Sequence, residues 1–100
     1  MAPFRFTLYL TGSSVRSQLA VDNIRRFCER EFGANASIRV VDVLEDPAEA
    51  ERARVLTTPT LILEHPGPER RITGDLTDEG ALRRALGLSA GPRTQGDSSS

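Results

Sequence analysis

The sequence predicts an α/β domain of order β-α-β-α-β-β-α, built on one four-stranded mixed sheet. Three observations predict it. Apolar residues recur with a period of two in some segments and about 3.6 in others, the marks of strand and helix. Serine, aspartate, glycine and proline punctuate the chain where the period changes. The length, 100 residues with 38% hydrophobic and 27% charged, suits one small core and leaves little room for a second domain.

Phe4, Phe6, Leu8 and Leu10 alternate with Arg5, Thr7 and Tyr9, the pattern of a half-buried strand. Thr11-Gly12-Ser13-Ser14 breaks it, and Ser14 or Ser17 can cap the helix that follows by accepting a free backbone N–H. In that helix Ala20, Ile24, Phe27 and Cys28 form one apolar stripe, reinforced by Leu19 and Phe32, and Gly33 supplies the stop. Ile38–Leu44 is rich in β-branched residues and reads as a second strand, more fully buried than the first. Asp46-Pro47 followed by Glu49 starts a short, charged helix over Pro47–Leu56, with Asp46 as cap and Glu49 closing a capping box. Leu61–Leu63 is a third strand, His65-Pro66-Gly67-Pro68 a hairpin turn, and Arg70–Thr73 a fourth strand. A Thr77 or Asp78 cap opens a last helix with Ala81, Leu82, Ala85, Leu86 and Leu88 inward. The domain is expected to span residues 1–88, and 89–100, nearly devoid of apolar residues, to be a disordered tail.

A β-α-β unit must cross over right-handed between parallel strands, and the last two strands form an antiparallel hairpin. That arrangement is the thioredoxin-like fold, with Ile38–Leu44 and Arg70–Thr73 as its outer strands. Arg39 on one edge and Arg70 and Arg71 on the other suit edge protection. Proline at Thr58-Pro59-Thr60, just before the third strand, stands where such folds place a cis peptide, so Pro59 is a structural cis-proline candidate.

Composition excludes several functions. Thirteen basic residues, all Arg, against fourteen acidic ones leave a net charge of −1, which argues against field-driven nucleic-acid binding. No segment suggests a membrane span or a leader. One Cys and one His can form neither a disulfide nor a standard zinc site, which points to a cytoplasmic protein. The turn Thr11–Ser17, where a thioredoxin-like enzyme needs its thiolate, holds no Cys, and Cys28 lies on the apolar stripe. Ser13 and Ser14 read as turn and cap residues, and His65 as a surface turn residue. Gly12-Ser13-Ser14 lacks the rest of a phosphate loop. Glu45, Asp46, Glu49 and Glu51 read as a solvated helix start, and Arg25, Arg26 and Arg30 as a solvated face. No catalytic, cofactor or metal residue is expected.

Four blocks in order carry a more specific signal: Leu8-Tyr9-Leu10-Thr11-Gly12, then Val40–Leu44 with Asp46-Pro47, then Val55-Leu56-Thr57-Thr58-Pro59-Thr60-Leu61, then Arg70–Leu76. Together, from about Thr7 to Leu88, they resemble the KaiB family of clock proteins. Ser14-Val15 replaces the family's usual Thr-Pro pair, the proline cluster is reduced to Pro66-Gly67-Pro68, and contact to a KaiA-like regulator is left open. The resemblance implies a non-enzymatic regulator that binds a KaiC-like ring ATPase, and two alternative folds in which the half after about Asp46 rearranges. It also implies self-association, as a dimer or tetramer, in the unbound state. The short second helix and Gly80 are compatible with such a switch, while the Asp78 cap and Ala85 favour a continuous last helix and a thioredoxin-like resting state. Partner contact is expected through Arg39, Arg52, Arg54, Arg70, Arg71 and Asp75, with Arg71→Glu weakening binding and leaving the fold intact. The alternative reading is an adaptor or sensor module working with a histidine kinase or a stress-response partner outside timekeeping.

Overall fold

A computed structural model describes residues 3–74 and 76–88. Asp75 and the expected tail, residues 89–100, lie outside the described residues. The elements are β1 (Phe4–Leu10), α1 (Val15–Phe32), a short 3-10 turn (Gly33–Asn35), β2 (Ala36–Asp42), α2 (Pro47–Arg52), β3 (Thr60–His65), β4 (Arg70–Thr73) and α3 (Glu79–Ala85). One sheet runs in the order β2-β1-β3-β4. β1 pairs parallel with β2, and β3 antiparallel with both β1 and β4.

Local chemistry sets the helix ends. The Ser14 hydroxyl accepts from the Ser17 N–H at 3.1 Å, and the Asp78 carboxylate from the Ala81 N–H at 3.1 Å. α1 ends at Gly33, whose φ of 61° favours a residue without a Cβ. Asp46 caps α2, but the expected capping box is not closed: the Asp46 N–H goes to the Asp42 carbonyl, and the Glu49 carboxylate turns to two arginines. α2 stops at Arg52 rather than Leu56.

Two cores flank the sheet. On one face Phe6, Leu8, Leu10, Leu61 and Leu63 pack under α1 and α3, against Ile24, Phe27, Leu82 and Leu86. On the other, Tyr9, Val41 and Ile62 pack under Ala50 of α2. This second layer corrects the reading of β1 as half-buried. Thr7 is 0% and Tyr9 1% exposed, because the strand is central and covered on both sides. β2, expected to be the more buried, is an edge strand with Ser37, Arg39 and Val40 exposed. Leu19 was expected on the α1 stripe; it is 54% exposed, and Val21 takes the buried place. The Thr58–Pro59 peptide is cis, as are His65–Pro66 and Gly67–Pro68.

Candidate partner-binding site

α2 is too short to roof its side of the sheet, so long side chains from the strands finish the cover. The residue centring them is Glu49, half-buried at the inner side of α2. Its carboxylate accepts from Arg39 of β2 at 2.8 Å and from Arg52, one turn along α2, at 2.6 Å. The Arg39 bond and then the Arg52 bond hold the Glu49 carboxyl below its ordinary range. Both guanidiniums remain more than half exposed, at 55% and 68%, so they are oriented without being buried. Tyr9 lies beneath this group, and burial, then Glu49, raise its pKa.

Arg54 follows α2 with φ 57°, a left-handed conformation normally left to glycine or asparagine. It closes the helix: Val55 N–H donates to the Ala50 carbonyl at 3.0 Å and Arg54 N–H to the Glu51 carbonyl at 3.0 Å. From β4, Arg71 donates to the Ala53 and Arg54 carbonyls, and its Nε to Glu69 at 2.7 Å. Arg71 therefore fastens the end of α2 to the sheet, so Arg71→Glu would remove that tie as well as a surface positive charge.

The structure thus brings Arg39, Arg52, Arg54 and Arg71 to one side of the sheet. Arg70 does not join them. It pairs with Leu63 in register, on the opposite face, and its guanidinium lies over Gly87. Asp75 is outside the described residues. Sequence reasoning missed Asp42. Its Oδ1 accepts from the Gly12 N–H at 3.0 Å and the Leu44 N–H at 2.9 Å, tying the turn after β1 to the entry of α2. The signal available was an aspartate ending a β-branched run ahead of a helix cap.

Redox chemistry has no footing at the usual position. The Thr11 hydroxyl bonds that of Thr58 at 2.5 Å, and Cys28 is 3% exposed with its thiol pushed up to about 12 by burial. Among the described residues no His, Cys, Asp and Glu side chains gather as a metal site, and no helix is long and apolar enough to cross a membrane.

A thioredoxin-like scaffold that gathers arginines from β2, α2 and β4 on one side of its sheet, and holds no thiolate at its first turn, defines a class of proteins that use this fold without its redox centre. Comparison with known proteins gives the family. The KaiB domain matches residues 7–88. The circadian clock protein KaiB3 of Synechocystis sp. is 46% identical over 71 residues, covering 71% of this chain and 70% of its own. The circadian clock oscillator protein KaiB1 of the same organism is 39% identical over 92 residues, 88% of each. The chain belongs to the KaiB family of circadian clock proteins, which are regulatory rather than catalytic. The N-terminal domain of SasA from Synechococcus elongatus superposes with a TM-score of 0.71 at 26% identity, covering 91% of this chain and 90% of that one. A thioredoxin from Halobacterium salinarum, at 24% identity and a TM-score of 0.65 over 83% of this chain and 71% of its own, shares the fold alone.

Proposed function

We propose that this protein is a cytoplasmic, non-enzymatic regulator that binds a KaiC-like ring ATPase through α2 and the β2 edge. The observation that carries the reading is the clustering of Arg39, Arg52 and Arg54 on one small surface of a KaiB-family chain. Arginine suits such a contact because its planar fork pairs with carboxylates in two-point fashion. Glu49 holds two of the three forks in place, which lowers the ordering cost of binding. The outer edge of β2 adds unpaired backbone groups to which a partner strand can bond. Arg71 acts by fastening α2; Arg70, on the opposite face of the sheet over Gly87, is outside this contact, and Asp75 is proposed as a contact residue on the family resemblance alone. Residues 1–88 are the binding unit, 89–100 a dispensable tail, and the unbound protein self-associates as a dimer or tetramer.

The test is native mass spectrometry of the protein with the KaiC-like ATPase of the same organism and nucleotide. A ring loaded with this protein is expected, and Arg54→Ala is expected to weaken loading about tenfold, a typical cost of losing an interfacial arginine. Because Ala also leaves the left-handed conformation strained, Arg54→Gly serves as the companion variant. It should melt higher than the parent and still bind weakly. No complex from a well-folded protein would put the adaptor reading first. The likeness to the SasA N-terminal domain is the observation favouring that second reading, a module working with a histidine kinase or stress-response partner.

A further inference from the structure

A groove of about 560 Å³ runs beside the cis Thr58–Pro59 peptide, lined by Arg16, Leu19, Ala20, Pro59, Gly74 and Leu76. It lies at the start of α1, on the face opposite α2. Two features separate it from ordinary surface. Leu19 is 54% exposed at its wall, and Val15, one turn earlier on the same helix side, is 79% exposed. Ala20 and Leu76 are buried at its base, so the apolar surface continues from rim to floor. Exposed apolar patches of this kind mark contact sites on small soluble domains.

Charge identifies the occupant. Arg16 is the single charged side chain among the described residues lining the groove, and among those residues no ion pair or hydrogen bond engages its guanidinium. The first turn of α1 contains no acidic residue to offset the positive end of the helix. The groove therefore joins an apolar trough to the Arg16 guanidinium and to a helix start whose first turn carries no acidic residue.

We propose that this groove docks a short acidic-apolar segment of a partner protein, a leucine-type side chain entering between Leu19 and Pro59 and a neighbouring carboxylate meeting Arg16. It is separate from the α2 face, so the protein can hold two partners at once. The proposal does not rest on the ring-binding reading.

The test is an amide-NMR titration of the full chain with the peptide acetyl-Gly-Asp-Leu-Leu-Asp-Gly-amide, against a counterpart with Lys in place of Asp. Shifts are expected at Leu19, Ala20, Gly74 and Leu76, with the acidic peptide binding at least about fivefold tighter than the basic one. Arg16→Glu should reverse that preference, and Leu19→Ser should abolish binding. Both positions are exposed, so circular dichroism should match the parent. Leu19→Ser should still load onto the ATPase ring, which separates failure of this proposal from failure of the ring-binding reading. Equal binding of both peptides, shifts confined to β2 and α2, or no shifts up to roughly millimolar peptide would overturn it. So would a concentration-dependent dimer that Leu19→Ser dissolves, since the groove would then be covered by a second copy.

Discussion

Thr7 stands at the centre of the sheet, between Arg39 of β2 and Ile62 of β3 in register, and its hydroxyl is buried without a hydrogen-bond partner among the described residues. A buried polar group left unpaired costs about 1–3 kcal/mol, while an apolar group of the same shape avoids that cost. Thr7→Val is therefore expected to stabilise the protein by about 1 kcal/mol, read from chemical denaturation, and an unchanged or lower midpoint would show the hydroxyl to be satisfied in solution. Glu49 makes the opposite case, a polar side chain whose partners matter. Its carboxyl pKa is lowered in the folded state by Arg39 and Arg52, so its stabilising effect is present above the unfolded carboxylate value. That effect is lost as pH falls through the folded value. Parent and Glu49→Gln should differ in melting temperature at neutral pH and converge in acid below the ordinary carboxylate range; a gap that persists there would assign the effect to packing. Neither residue's role was legible in the sequence. Thr7 reads as an outward strand position until α2 is known to roof it. The Arg52 contact, at i+3 on one helix, could be read from spacing, whereas Arg39 arrives from another element.

The elements themselves were more legible than their burial. Ser14, Asp46-Pro47, Asp78 and Gly33 are local devices acting on neighbouring backbone, so helix starts and the α1 stop follow from a few residues each. Which face a residue occupies depends on the layer packed against it, and that is why Leu19 and the β2 residues were misplaced. Long-range ion pairs were invisible for the same reason. Two of them clasp α1 to α3, Arg30 to Glu79 and Arg83 to Glu31. They differ in environment: the first pair is about half exposed on both sides, whereas Arg83 and Glu31 are 18% and 19% exposed. Exposed pairs contribute about 0–1 kcal/mol and partly buried ones more, because removing one partner strands the other in a less polar setting. Glu31→Gln is expected to cost about 1–2 kcal/mol and Glu79→Gln less than about 0.5, in urea unfolding of the full chain. Equal costs would mean that the Arg83 side chain is held by its other contacts and not by Glu31.

At the scale of the whole molecule, the expectation that the half after about Asp46 can rearrange is to be weighed against the contacts that half makes in the thioredoxin-like arrangement. The local signals after β4 agree with one another. Asp78 caps α3, and Leu82 and Leu86 are buried against the larger core. Gly87, at φ 73°, closes the helix, the Leu88 N–H reaching the Arg83 carbonyl at 2.8 Å and the Gly87 N–H the Arg84 carbonyl at 3.2 Å. A left-handed residue directly after the last turn is a helix ending. In a strand running through residues 81–88 the same glycine would lose that purpose, and the two ion pairs to α1 would lose their geometry. Agreement between local preference and tertiary contact is what selects one packing over another. Gly80, inside the first turn of α3, is the opposing feature, worth about 1 kcal/mol against helix relative to Ala. The balance favours helix, so carbon secondary shifts of the full chain are expected to be helical over Glu79–Ala85 and extended over Thr60–His65 and Arg70–Thr73. Gly80→Ala should strengthen the helical shifts. Gly87→Ala should weaken them, because its Cβ would sit 3.1–3.2 Å from the Arg70 guanidinium in a left-handed backbone. Strand shifts running through Ala81–Leu88 in the free protein would overturn the thioredoxin-like resting state, and with it the placing of Arg70 against the end of α3.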